Sequence, residues 1–212
     1  MSDWSSRAEA YRNAPEQREG EDLDLIVHWA DGSRTALDVA TGGGHVARRL
    51  RDAGLQVVSA DPAPGMQPDV ICRAEDLPFA DGAFDLVVSR IAPHHFEDVA
   101  AAVTEMARVA KDLVVVEDTL YVNEAVEEAE RLRDPTHVRS YSEVEWRGLL
   151  EAAGLEVEQV EAFEKRHPLT AWLDRSATPG EDRQRVQELL ADQIEGDEYV
   201  DTKLVIKARK AA

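Results

Sequence analysis

Short apolar runs alternate with amphipathic stretches along the first half of the chain. Four of these runs are partly β-branched and predict buried strands, at 35–40, 55–60, 84–89 and 113–116. Apolar positions at helical spacing predict helices at about 44–53 and 96–109. Because strands alternate with helices, the pattern indicates an α/β fold with a parallel sheet.

One connection departs from this alternation. Three prolines and one glycine fall within residues 62–68, between the second predicted strand and a third at 69–73. Proline cannot continue a helix, so we expect an extended loop here. Seven residues can reach about 23 Å, which exceeds the length of a short strand. We therefore predict that no helix connects strands two and three.

The second half of the chain is more helical. Its pattern predicts four helices, at 123–133, 142–153, 169–174 and 180–194. Alternating apolar positions predict two further strands, at 155–163 and 202–208. The N-terminal stretch predicts two helices, at 5–11 and 22–30. A length of 212 residues favours one domain.

The strongest local feature is the glycine turn Thr41–Gly44, which follows the first predicted strand. Its three glycines allow positive φ angles and a close approach of the backbone to a ligand. The helix that follows presents unpaired N–H groups to an anionic or electron-rich group. A plain strand-to-helix turn is the alternative, although one glycine would serve for that.

Charge and cysteine content exclude several kinds of partner and site. The chain has 43 acidic and 24 basic residues, a net charge of −19, so phosphate backbones and anionic lipid should repel it. We therefore expect neither a nucleic acid nor a membrane partner. A single cysteine, Cys72, rules out an intramolecular disulfide and a cysteine metal cluster. With no leader pattern and no long apolar run, the chain is expected to be cytoplasmic.

Candidate binding groups follow several predicted strands. In a parallel sheet these ends meet at one edge, where ligands bind. The groups are the glycine turn, Asp61, the loops 73–76 and 89–95, and the pair Glu117-Asp118. Asp61 lies 19 residues after Gly42 and can accept hydrogen bonds from both hydroxyls of a ribose. An ordinary turn aspartate is the alternative.

Two kinds of cofactor fit these residues, a dinucleotide and another nucleoside that carries a ribose. Residues 42–47 match the G-x-G-x-x-A fingerprint of dinucleotide-binding proteins, and both candidate cofactors carry a ribose. Asp38 would face a ligand ammonium or local backbone N–H groups, since a buried carboxylate needs partners. The segment 74–79 has no place in the dinucleotide pattern, and no second substrate domain is evident.

The chain resembles the class I S-adenosylmethionine-dependent methyltransferases. The resemblance rests on 37–46, Asp61, 74–85 and His94-His95-Phe96, and extends over about 11–139. The most similar branch contains the ubiquinone- and menaquinone-biosynthesis methyltransferases and small bacterial and archaeal relatives of unassigned substrate. This resemblance implies a Rossmann-like, seven-stranded, mostly parallel sheet with the last strand antiparallel and helices on both faces.

The resemblance also implies the cofactor site. The methionine part would contact Asp38, Ala40, Thr41, Gly42, Gly44, Ser89 and Arg90. Asp61 would bind the ribose, and the adenine would lie beside Pro62, Ala74 and Glu75. Arg73 stands where relatives often carry an aspartate, so adenine recognition is expected to move to Glu75, Asp76 or backbone carbonyls.

Two adjacent histidines are the catalytic candidates. His94 and His95 follow strand four, and a histidine near neutral pH can accept a proton from a phenol or amine. A shape-forming or helix-capping role is the alternative. No metal site is expected, because adjacent histidines rarely converge on one ion. We interpret His28 and His167 as surface residues.

Four residues are candidates for the substrate pocket: Tyr11, Arg133, His137 and Trp172. Core packing or a surface turn is the alternative for several of them. We expect one domain over 1–212, with 1–31 as an N-terminal helical cap. Residues 122–150 and 165–196 are expected to be helical additions near the pocket.

The sequence thus favours methyl transfer from S-adenosylmethionine to a small-molecule acceptor by in-line displacement. A nicotinamide-dependent oxidoreductase and a non-catalytic S-adenosylmethionine-binding module are the alternatives. A monomer or homodimer is expected.

Overall fold

The computed structural model describes residues 4–211, except for the side chains of residues 6, 15 and 16, and a mostly parallel sheet forms its centre. The strands are β1 Thr35–Val39, β2 Gln56–Asp61, β3 Val70–Ile71, β4 Phe84–Arg90, β5 Ala110–Thr119, β6 Leu155–Pro168, β7 Ile194–Glu195 and β8 Glu198–Lys210. Seven strands lie in the order β3-β2-β1-β4-β5-β8-β6, and the two-residue β7 pairs with β8. Strands β1 to β5 pair in parallel, whereas β8 is antiparallel to both of its neighbours β5 and β6. The predicted fold class is confirmed.

Nine α-helices surround this sheet within residues 4–211. They are α1 Trp4–Arg12, α2 Pro15–Arg18, α3 Glu21–Trp29, α4 His45–Asp52, α5 Val99–Val109, α6 Glu124–Arg133, α7 Glu143–Ala152, α8 Leu169–Arg175 and α9 Gly180–Leu189. Between β2 and β3 the chain makes only a 3-10 turn, Pro64–Met66. As predicted, no α-helix connects these two strands.

The two faces of the sheet carry separate cores, because successive residues of a strand point in opposite directions. Leu37 and Val87 pack with Met106 of α5 and Trp146 of α7. On the other face, their strand neighbours pack with side chains of α3 and α4, among them Leu50. A third apolar cluster joins α6, α8 and α9 to Tyr199 of β8. Helices thus cover both faces of the sheet.

Several predicted boundaries were wrong. The helix predicted over 96–109 begins at Val99, where the Asp98 carboxylate caps it by accepting from Ala101 N–H. His94 and His95 lie instead in a separate 3-10 turn, Pro93–His95. The helix predicted to reach residue 194 ends at Leu189, because Ile194 pairs with Tyr199 in the β7–β8 hairpin.

Candidate active site

The glycine turn joins the carboxyl end of β1 to α4. Gly42 and Gly44 have φ angles of 51° and 73°, in the left-handed region that favours glycine. A Cβ atom placed on Gly44 would meet no heavy atom of the described chain within 4 Å, so the turn leaves open space there. At Gly43 the carbonyl of Tyr11 would lie 2.9 Å from such an atom. The end of α1 therefore approaches this turn closely.

Asp61 lies beside the glycine turn at the end of β2. Its Oδ2 accepts from Gly42 N–H at 3.0 Å, and its Oδ1 accepts from Ala63 N–H at 2.8 Å. Asp61 is buried, and this burial raises the pKa of its carboxyl. Each carboxylate oxygen has two lone pairs. The two backbone bonds fix the carboxylate and leave each oxygen a second lone pair.

Asp38 connects β1 to the start of α4. Its Oδ2 accepts from the Thr41 hydroxyl at 2.5 Å and from Ala47 N–H at 3.0 Å. Burial raises the pKa of Asp38 to about 6. These contacts match the alternative in which local donors satisfy the carboxylate, and a ligand ammonium near Asp38 stays a prediction.

The predicted residues Ser89 and Arg90 end strand β4. Ser89 is fully buried, and its hydroxyl has no hydrogen-bond partner in the part of the chain that the structure describes. The Arg90 guanidinium binds two buried carboxylates, Asp22 at 2.5 Å and Glu117 at 2.8 Å. Arg90 therefore ties α3 to the sheet, and a cofactor contact from its side chain would have to compete with these ion pairs.

The three residues predicted for the adenine differ in exposure. Ala74 is buried, whereas Pro62 is exposed. Glu75 accepts from the backbone N–H of Glu97 at 3.0 Å and pairs with Arg73 at 3.1 Å. Its carboxylate already holds the segment before α5, and its role toward an adenine stays a prediction.

A cavity of ≈ 40 Å³ lies near the carboxyl ends of β4 and β5. On this measure a water molecule needs about 10–15 Å³, so there is room for a few waters. Six residues that the sequence suggested for catalysis or substrate binding line it together, namely Tyr11, His94, His95, Arg133, His137 and Trp172. Ile91, also in the wall, has a φ of 51°, which is strained for a β-branched residue. Such strain is typical of functional sites.

His94 forms a buried pair with Asp118 at the end of β5. Its Nδ1 lies 2.5 Å from Asp118 Oδ1, which also accepts from Thr119 N–H at 2.9 Å. Burial lowers the pKa of His94 to about 3 and raises the pKa of Asp118 to about 7. His94 is consequently neutral near pH 7. The sequence had placed Asp118 at a strand end, but its pairing with His94 emerges only from the parallel register of β4 and β5.

The neighbouring histidines are held by other partners. His95 Nδ1 lies 3.0 Å from the carbonyl of Thr136, and its ring contacts the Trp4 ring edge-on at 4.7 Å between centroids. Burial lowers the pKa of His95. His137 Nε2 lies 3.1 Å from Glu127 Oε2. The alternative that His137 sits in a surface turn is wrong, because its side chain is buried.

Charged residues that the sequence did not suggest complete the cavity wall. They are Glu130, Lys165, Arg175, Asp201 and Lys203, together with His167. The expected surface position of His167 is wrong, because β6 continues to Pro168 and pairs His167 with Tyr199 of β8. His28, by contrast, is exposed as expected.

Among the described side chains, no three of His, Cys, Asp or Glu are grouped so that they could hold a metal ion. Between residues 4 and 211 no helix is long and apolar enough to cross a membrane.

Comparison with known proteins identifies the family. The sequence profile of the methyltransferase domain family matches residues 37–116. The uncharacterized methyltransferase YcgJ of Bacillus subtilis is 32% identical in an alignment that covers 86% of this chain and 82% of YcgJ.

Solved structures agree with this match. A methyltransferase candidate from Bacillus halodurans C-125 superimposes with a TM-score of 0.80 at 29% identity, over 91% of this chain and 100% of that one. The Burkholderia thailandensis 1,6-didemethyltoxoflavin-N1-methyltransferase, solved with 1,6-didemethyltoxoflavin and S-adenosylhomocysteine, shares the fold. Its TM-score is 0.59 at 15% identity, over 94% of this chain and 80% of that one. The chain belongs to the class I S-adenosylmethionine-dependent methyltransferases.

Proposed function

We propose that this protein transfers a methyl group from S-adenosylmethionine to a small-molecule acceptor, with His94 as the general base. The observation that carries the proposal is the buried His94–Asp118 pair in the wall of the cavity. The high negative charge of the chain supports a small acceptor in place of nucleic acid or a membrane surface. A monomeric or homodimeric cytoplasmic protein stays our prediction.

The residues at the glycine turn fit S-adenosylmethionine. The open space beside Gly44 leaves room for a ligand against the backbone, and the buried Ser89 hydroxyl still needs a partner. Asp61, fixed by Gly42 and Ala63, would accept from the two ribose hydroxyls. When bound, the cofactor supplies a sulfonium methyl group that passes to an acceptor lone pair, while the electrons of the broken C–S bond stay on sulfur.

His94 and Asp118 can handle the proton that the acceptor loses. With Nδ1–H donated to an ionised Asp118, Nε2 of His94 has a lone pair for an acceptor O–H or N–H. The imidazolium that forms is then stabilised by the Asp118 carboxylate at 2.5 Å. Because burial lowers the pKa of His94 to about 3, His94 does not deprotonate a free acceptor. It accepts the proton only while the acceptor atom is bonding to the methyl carbon.

Helix α1 would cover both the cofactor site and the cavity. Its Arg12 donates to the Gly65 carbonyl at 2.8 Å beside the expected adenine position, and its Arg7 pairs with Asp134 at 3.0 Å beyond α6. Tyr11 lines the cavity, and its carbonyl contacts His45 after the glycine turn. Water would thus be excluded from the reacting atoms, and acceptors larger than the present cavity must displace part of this cover.

A transfer assay tests the proposal. The purified protein is incubated with S-adenosylmethionine carrying an isotopically labelled methyl group and with a panel of phenols, amines and heterocycles. We expect label to appear in at least one acceptor in step with S-adenosylhomocysteine. Cofactor binding without transfer to any member of a broad panel would instead support the non-catalytic module.

The pH dependence of kcat/KM should follow Asp118. Below its pKa of about 7 the protonated carboxyl donates to His94 Nδ1, so the proton on the ring moves to Nε2 and blocks its lone pair. We therefore expect kcat/KM to rise about tenfold per pH unit below pH 7 and to level off above it. Asp118→Asn should remove this inflection. A flat profile from acid to alkaline pH in the native protein would contradict the assigned roles.

A further inference from the structure

Thr119 and Lys203 form a buried polar pair in the cavity wall. They lie opposite each other in the antiparallel strands β5 and β8, and Lys203 Nζ is 2.6 Å from Thr119 Oγ1. Both residues line the cavity that also contains His94. Nζ lies 2.6 Å from Asp201 Oδ2 as well. The end of the Lys203 side chain is thus held between a hydroxyl and a carboxylate, at a fixed place in the wall.

The hydrogen bond between Thr119 and Lys203 runs in one direction only. Burial raises the pKa of Asp201, but the charge of Lys203 and the contact with His167 outweigh it and hold that pKa below its usual value. Asp201 is therefore ionised, and Lys203 pairs with it as an ammonium. An ammonium donates hydrogen bonds and cannot accept them. The Thr119 oxygen is consequently the acceptor, and its own O–H points elsewhere.

Two donors of this pair have no acceptor in the part of the chain that the structure describes. The hydroxyl of Thr119 makes its one hydrogen bond there with Lys203, as the acceptor. Lys203 has three N–H groups, of which two are directed to Thr119 and Asp201. Buried donors need an acceptor. Because the two donor atoms are 2.6 Å apart, a single oxygen atom with two lone pairs can accept from both.

The pair is joined to the proposed general base through Asp118. The backbone N–H of Thr119 donates to Asp118 Oδ1, the same oxygen that lies against His94 Nδ1. Burial is the largest cause of the pKa shifts of His94 and Asp118, and the charge of Lys203 lowers both pKa values. A molecule that presents its nucleophile to His94 therefore has its neighbouring atoms near Thr119 and Lys203.

We propose that the methyl acceptor carries a carbonyl group beside its nucleophilic O–H or N–H, and that the Thr119 hydroxyl and Lys203 bind the carbonyl oxygen. This assignment deepens the proposed function and rests on it. A carbonyl oxygen offers two lone pairs to the two donors. Because Asp201 already balances the charge of Lys203, a neutral oxygen fits here better than an anion, which the Asp201 carboxylate would repel.

The test uses matched acceptors with S-adenosylmethionine and the native protein. Phenols and heterocyclic amines with a carbonyl beside the O–H or N–H are compared with the same compounds in which CH₂ replaces C=O, and with the corresponding carboxylic acids. We expect kcat/KM for the carbonyl compounds to exceed that for both other classes by about 10–100-fold. Equal turnover of the carbonyl and CH₂ compounds, or a preference for the acids, would overturn the assignment.

Variants separate this preference from the intrinsic reactivity of the compounds. Thr119→Val keeps the shape of the side chain without its hydroxyl, and should lower the carbonyl-to-CH₂ ratio of kcat/KM by about tenfold. Thr119→Ser keeps the hydroxyl and should keep the ratio. The control Thr104→Val removes an exposed hydroxyl that bonds to the Ala100 carbonyl in α5, and should change nothing. The native ratio in a folded Thr119→Val protein would refute the role of Thr119.

The affinity for S-adenosylhomocysteine and the thermal midpoint, measured on every variant, separate two kinds of failure. If the cofactor binds and acceptors are methylated without regard to the carbonyl, only the present inference fails. If the native protein neither binds this cofactor nor methylates any acceptor, the proposed function fails, and the inference fails with it.

Discussion

His94→Ala is expected to lower kcat by about 10²–10⁴-fold, the usual contribution of a general base. The alanine removes the Nε2 lone pair that would take the proton of the acceptor. It also leaves the buried Asp118 carboxylate without its closest partner, at 2.5 Å in the native protein. The measurement is the steady-state rate with an acceptor identified in the transfer assay.

A matched variant separates catalysis from folding. His28→Ala removes an exposed histidine from α3 and should leave kcat unchanged. S-adenosylhomocysteine should bind His94→Ala about as tightly as the native protein, because the glycine turn and Asp61 are untouched. A kcat within threefold of the native value would show that His94 only shapes the cavity, which is the alternative to a catalytic role.

Asp61→Ala is expected to weaken the binding of S-adenosylhomocysteine by about 10–100-fold, corresponding to about 1–3 kcal/mol for lost hydrogen bonds to a charged group. The substitution removes the acceptors of the ribose hydroxyls. It also frees Gly42 N–H and Ala63 N–H, whose bonds to Asp61 hold the glycine turn and the start of the loop 62–68 in place. Both effects act in the same direction. Calorimetric titration measures the affinity.

The control for this variant is Asp52→Ala, which removes an exposed carboxylate at the end of α4. It changes the net charge equally and should leave the dissociation constant as it is. The thermal midpoints of both variants show whether the fold persists. Native-like affinity in a folded Asp61→Ala protein would refute the ribose-binding role.

The order of strands and helices could be predicted because it is encoded locally. Runs such as 35–40 and 84–89 are apolar on both faces, and the prolines of 62–68 exclude a helix. Since parallel strands bring their carboxyl ends together, the sequence also placed the glycine turn, Asp61 and His94-His95 near one edge. The structure agrees with this placement.

Contacts between distant segments could not be predicted in this way. His167 belongs to the cavity only through the long antiparallel pairing of β6 with β8, which no local pattern near residue 167 reveals. Arg90 shows the same limit. Its expected place beneath the cofactor depended on its strand position, whereas its side chain binds Asp22 of α3, 68 residues earlier in the chain.

The most direct test of the central claim is a titration of the native protein with S-adenosylhomocysteine and, separately, with NAD⁺ and NADP⁺. We expect saturable one-to-one binding of S-adenosylhomocysteine and no comparable heat from either dinucleotide, because the chain belongs to the S-adenosylmethionine-dependent methyltransferases and its segment 74–79 has no place in the dinucleotide pattern. Saturable binding of a dinucleotide, with none of S-adenosylhomocysteine, would contradict this account.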